Sequence, residues 1–183
     1  YRVVNERHFA EEEILSAIEK AESEMLTNGI VAVGDICNNL LTLLQKQKQR
    51  LAYYNFIEAS GWLPSVSQPR FDSSLNFYKE FSKQQLNNSI VPHAPYSVSD
   101  NLWKLINPYF KNKTVTIHNQ ETLFEDEFFT HGTGDLLRMY ELMKIDNSHH
   151  QPSKRSSLQS YFSNLTAAQK IILVHNTFTK QQD

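Results

Sequence analysis

The sequence predicts an α/β fold built on a parallel sheet, and three observations carry that expectation. Short runs rich in β-branched residues alternate with longer amphipathic segments, the pattern of βαβ units. Most of the short runs are continuously apolar rather than alternating, as strands covered on both faces require. Each run also ends in an ionisable residue.

The elements follow in order. Ile14, Ala17, Ile18, Ala21 and Met25 share one face of a helix predicted from Phe9 to Asn28, with Gly29 at its C-cap. Ile30 to Asp35 reads as the first strand. A Leu-rich helical segment, Leu40 to Gln47, leads to a second strand, Leu51 to Glu58. Gly61 to Asp72 holds two prolines and reads as a loop. Leu75, Tyr78 and Phe81 mark a helix from Ser74 to Leu86, followed by the strand Ile90 to His93. Ser97 with Asp100 three residues on predicts a helix start, and Leu102, Trp103, Leu105 and Ile106 bury that helix. Thr114 to His118 is the fourth strand. Helical sequence runs from Thr122 to Phe129 and from Asp135 to Met143, with His131 in the break between them. Asp146 to Ser157 is polar and loop-like, and Ile171 to His175 is the fifth strand. Trp103 and Phe110 read as core.

The 183 residues are expected to form a single domain, or part of a larger one. A hydrophobic share of 40% supports a sizeable core. A formal charge of −2 gives no electrostatic reason to expect nucleic acid or an anionic membrane as a partner. No apolar run approaches the ~20 residues that span a bilayer. Cys37 is alone, which fits a reducing compartment, and a cytoplasmic location is the expectation.

Asp35, Glu58, His93, His118 and His175 end the five runs. In a parallel α/β fold the carboxyl ends of the strands lie on one face, and that face holds the active site. Three histidines at equivalent positions suit a metal site, since imidazole is both the commonest ligand and a proton carrier at neutral pH. Asp35 and Glu58 have plainer readings as helix N-caps or as partners of a site residue. His118 and Glu121 form a His-x-x-Glu pair. A solvated Glu in the first turn of a helix explains Glu121 simply; a proton carrier beside a metal-activated water explains it too. Trp62 and Arg70 follow Glu58 as loop anchors or substrate contacts.

Three segments occur in order: Pro92-His93-Ala94-Pro95-Tyr96-Ser97-Val98-Ser99, Thr116-Ile117-His118-Asn119-Gln120-Glu121-Thr122, and Leu173-Val174-His175-Asn176-Thr177. Together they resemble the amidohydrolase superfamily, in the branch of cytosine, guanine and S-adenosylhomocysteine deaminases and triazine chlorohydrolases. Gly29 to Asp35 is similar to the second barrel strand of that branch. The resemblance implies part of a (β/α)8 barrel, about strands two to six, and a metal-dependent hydrolase, a deaminase of an aminated heterocycle. It implies His118 as a ligand of one divalent metal ion, zinc or iron. It implies Glu121 as the acid/base, His175 as the residue that orients the hydrolytic water, and His93 as a substrate contact. The partner implied is a small-molecule substrate.

Two features of the family are absent. No His-x-His pair lies upstream, where His8 is the only histidine before His93, and the chain stops at Asp183 before an eighth strand could supply an Asp. The expectation is therefore a truncated barrel, inactive alone, whose open sheet edges favour self-association. The alternative is a non-catalytic scaffold or interaction module derived from the same fold.

Overall fold

Apolar positions three and four residues apart on one stripe force the first segment into a helix. The structure, a computed structural model that describes residues 9–183, forms α1 there (Glu11–Thr27). His8 lies outside the described residues. Glu11, Glu12 and Glu13 crowd the first turn, where the helix dipole favours acid. Gly29 takes a left-handed φ of 80°, and Ile30 N donates to Met25 O at 3.0 Å, which closes the helix and turns the chain into the sheet.

The chain continues through β1 (Ala32–Cys37), α2 (Leu43–Gln47), β2 (Ala52–Ala59), a 3-10 turn at Pro64–Val66 and α3 (Ser67–Lys83). Next come β3 (Asn87–Pro92), α4 (Asp100–Ile106), β4 (Thr114–Asn119), α5 (Leu123–His131), α6 (Asp135–Leu142), α7 (Ser157–Tyr161) and β5 (Lys170–His175). All strand pairs are parallel. β1, β2 and β3 form one ladder and β4 and β5 another, with Asp35 opposite Asn55 and His118 opposite Val174. The architecture is thus α/β with parallel strands, and among the described residues the sheet does not close.

β3 and β4 are neighbours joined by few backbone bonds. His118 N donates to His93 O at 2.9 Å at one end. At the other end side chains take the main-chain groups: Thr114 N donates to the Tyr54 hydroxyl at 3.1 Å, and Ser89 Oγ donates to Thr114 O at 2.7 Å. A hydroxyl that satisfies a strand's own carbonyl replaces the ladder bond it would otherwise make. The main core lies across this seam, with Phe56, Ile90, Val91, Leu102, Ile106, Phe110, Val115 and Ile117 packed together and Trp103 at its side.

Several expectations need correction. Burial of both faces holds for β3 but not for the outer strands, where it alternates: Ile36 on β1 is 40% exposed and Ile172 on β5 is 46% exposed. Among the described residues, one face of each outer strand is more exposed than the other. The segment 61–72 is not a loop throughout, because α3 begins at Ser67. Pro69 sits in its first turn, where amides need no intrahelical partner, so the proline does not oppose the helix. α4 is capped by Ser99, which accepts from Leu102 N, rather than begun by Ser97. Ser97 closes a 3-10 turn and bonds Ala94 instead. His131 ends α5, and Gly132 with φ 71° is its cap. α7 has no counterpart among the expected elements; Ser156 and Gln159 cap it reciprocally. No described helix is long and apolar enough to cross a membrane.

Candidate functional site

Parallel strands deliver their carboxyl ends to one edge, and the pleat decides which side chains meet there. Glu58 pairs with Val91 in the β2–β3 register, so His93, two residues further along, shares the face of Glu58. His118 N is bonded to His93 O, which sets β4 beside it. The structure brings Glu58, His93 and His118 together: one ligand-capable atom from each lies within 4.8 Å of the others.

The geometry around Glu58 is specific. Its Oε1 is 2.9 Å from His93 Nδ1 and 3.4 Å from His118 Nε2. The other ring nitrogen of His118 is 3.1 Å from His175 Nε2, within hydrogen-bond distance. His175 Nε2 is 3.7 Å from Glu121 Oε2. The five groups form a polar row, His93, Glu58, His118, His175, Glu121, that is most buried at Glu58, with 12% side-chain exposure, and most open at Glu121, with 47%. Water therefore reaches the Glu121 end.

Charge is arranged along the row. Burial pushes the Glu58 carboxyl up, but hydrogen bonds from His118 and His93, and their positive charge, outweigh it and hold its pKa at about 2. The hydrogen bond to Glu58 raises His118 against the opposing effect of burial, and the charges of Glu58, Glu121 and Glu125 add to the rise. With its carboxylate ionised and two imidazoles turned on it, the cluster has the donor types of a divalent-metal site.

Asp35 does not join. It pairs with Asn55, on the opposite face of the pleat from Glu58, and β1 runs on to Cys37 before it ends. There Asp35 forms an ion pair with the buried Lys46 of α2. Trp62 acts as a loop anchor: its ring stacks on Tyr140 at 5.5 Å and its Nε1 donates to Asn147 Oδ1 at 2.7 Å. Arg70 lies on α3, with its Cγ beside Gly61.

Two supporting features were not foreseen from the sequence. The first is the side chain after each of two histidines. Buried Asn119 donates through Nδ2 to Asn176 Oδ1 at 2.7 Å and accepts at Oδ1 from the Tyr161 hydroxyl at 2.7 Å. The repeated His-Asn dipeptide was the available signal. The second is local backbone conformation: Gln120, His175 and Asn176 all have positive φ, at 45°, 75° and 53°. Non-glycine residues adopt this region at a cost, and it clusters where side chains must be aimed.

No family model matches the chain, and no curated protein matches it by sequence. Solved structures do match by fold. Aminofutalosine deaminase from Helicobacter pylori aligns with a TM-score of 0.79 at 22% identity, covering 92% of this chain and 44% of that one. The same enzyme in complex with methylthio-coformycin aligns with a TM-score of 0.75 at 21% identity, covering 91% of this chain and 41% of that one. The chain thus spans less than half the length of the solved structures it matches. At this identity the likeness is one of fold: an α/β arrangement of parallel strands similar to that of a deaminase.

Proposed function

We propose that the chain carries part of the catalytic (β/α)8 barrel of a metal-dependent hydrolase of the amidohydrolase superfamily, one that deaminates an aminated heterocycle. The observation that carries this reading is the convergence of Glu58, His93 and His118 at the carboxyl ends of β2, β3 and β4. Support comes from the three ordered sequence segments and from a fold similar to that of a deaminase.

The donor set fits a divalent cation. A catalytic zinc takes three protein ligands of carboxylate and imidazole type, and bonds of about 2.1 Å in a tetrahedron place its ligand atoms roughly 3.4 Å apart. Glu58 Oε1 and His118 Nε2 are separated by 3.4 Å. His118 would hold the ion, with Glu58 and His93 beside it; the second ring nitrogen of His93 remains for a substrate. A bound zinc or iron ion supplies Lewis acidity that makes water nucleophilic near neutral pH.

The remaining steps belong to the protein's own groups. Glu121, open to water, takes one proton of the attacking water and delivers it to a ring nitrogen, then carries the second proton, from the hydroxyl so added, to the amine that departs as ammonia. His175, 3.7 Å from Glu121, orients that water and donates to the oxygen of the tetrahedral intermediate. Displacement of ammonia at an amino-bearing ring carbon is the reaction this arrangement serves.

Zinc titration of the untagged, metal-free chain by calorimetry tests the reading. One equivalent should bind, and H118A should abolish that binding while the chain keeps its circular dichroism. Absence of zinc binding by the wild-type chain, or undiminished binding by H118A, overturns it.

A further inference from the structure

α5 contains a buried carboxylate that the proposed chemistry does not use. Glu125 is fully buried, at 0% exposure. Its two oxygens face donors: Glu121 N donates to Oε1 at 2.8 Å, Gln120 N donates to Oε2 at 3.0 Å, and Ser157 Oγ donates to Oε2 at 3.1 Å. The amide of Thr122 also supports it.

A helix-capping role alone does not account for this set. Glu125 is the third residue of α5, and a capping box would spend its carboxylate on the amide of the N-cap, Thr122. Here the carboxylate reaches back past the cap and takes the amides of two residues outside the helix. Those residues are the end of the turn that starts at His118. The turn is bent through Gln120, whose φ of 45° a glycine would adopt freely and a glutamine does not. Side-chain bonds from Gln120 to Asp126 and Asp183, and from Thr179 to Gln120, surround the same point. Ser157, the remaining donor, opens α7 in the crossover that leads to β5 and His175.

We propose that Glu125 is a positioning residue for Glu121, a buried carboxylate that fixes the Glu121 main chain and ties it through Ser157 to the crossover leading to His175. Its chemistry suits the task. An ionised carboxylate accepts at both oxygens and donates nowhere, so all four of its partners must be donors, as they are. A glutamine would put an NH2 donor where one of the two oxygens now accepts, so it would face one of these donors with a donor of its own. Burial pushes Glu125 up from the ordinary carboxylate range, and the backbone amides and Ser157 oppose that rise. The inference rests on the proposed role of Glu121 for its functional meaning, but the positioning is readable without metal or turnover.

The test compares the metal-free wild-type chain with E125Q by NMR. In E125Q the amides of Gln120 and Glu121 should exchange with solvent about tenfold faster, as the loss of an amide–carboxylate bond allows. The imidazole 15N resonances of His175, which faces Glu121, should shift as well. If Glu125 only caps α5, changes stay within α5, the His175 resonances are unmoved, and the proposal is overturned. S157A covers the case in which E125Q fails to fold. It removes only the tie to α7, and should perturb the Gln120 amide, which shares Oε2, more than the Glu121 amide on Oε1. Equal or absent effects there also overturn the proposal. Zinc binding is read in a separate experiment, so a failed zinc titration leaves this result standing, and the reverse holds too.

Discussion

Glu58 governs the electrostatics of the site because a single oxygen, Oε1, faces two imidazoles. The bond to Glu58 is the first cause of the raised pKa of His118. Replacing the carboxylate by its neutral isostere removes that cause and the charge of Glu58, and leaves burial opposed only by the charges of Glu121 and Glu125. In E58Q, therefore, the titration midpoint of His118, followed by NMR in the absence of metal, should fall below its wild-type value. Zinc affinity should drop roughly tenfold or more, since a neutral amide replaces a charged ligand. A His118 midpoint that stays where it is in wild type would show that the Glu58–His118 contact is not formed in solution. Residues of this kind were only half legible. His93, His118 and His175 each close an apolar run, so their convergence could be read from the strand pattern alone. Asp35 closes a run too, yet it faces α2; the pleat, set by one residue of register, decided its side and no composition shows that. Glu125 was illegible because its partners other than Ser157 are backbone amides, which every sequence has.

Among the elements, the crossover between β4 and β5 differs most from expectation. Its polar segment 146–156 is held by aromatic packing. The ring of His150 stacks on Phe128 at 4.2 Å with an interplanar angle of 10°, and lies edge-on to Phe129 and tilted against Trp62. Burial lowers the pKa of His150, and the neighbouring His149 lowers it further, while Asp100 and the Phe128 backbone oppose. The sign is then fixed. A histidine depressed in the folded state is protonated more readily in the unfolded chain, so its contribution is fully present above the ordinary value of 6.5 and is lost as pH falls below it through the depressed folded value. Thermal melts at about pH 7.5 and about pH 5.5 should show a drop in Tm for wild type that is smaller in H150F, which cannot titrate. An equal drop in both would mean that His150 is solvated. The sequence predicts a loop here because Asp146 to Ser157 lacks apolar side chains other than Pro152; what orders the loop is aromatic surface on α5 and the distant Trp62, and only the fold brings that surface near. The same blindness hid the early start of α3, where Pro69 reads as a breaker and is in fact harmless in a first turn.

At the scale of the whole molecule, β1 and β5 form borders of the sheet: among the described residues each pairs on one side only, and Ile36 and Ile172 sit on them exposed. We propose that these borders drive self-association of this chain, because unpaired strand edges beside apolar side chains recruit further strands. Light scattering should show concentration-dependent growth in mass, suppressed in the double variant I36K/I172K. A monodisperse monomer at high concentration would refute the proposal. The α/β class and the parallel strands were legible from alternation alone. The break of the sheet between β3 and β4 was not, because it depends on Tyr54 and Ser89 claiming the main chain of Thr114.

That break has a thermodynamic consequence. It divides the site's groups between two sheets: Glu58 and His93 belong to the three-stranded one, while His118, Glu121 and His175 belong to the two-stranded one. An ion held by Glu58, His93 and His118 would act as a rivet across the weakest line in the sheet. Because it would bind the joined state and not the parted one, its binding free energy would add directly to the cohesion of the two halves by mass action. Ligand affinity and mechanical integrity would then be the same quantity, measured at one seam.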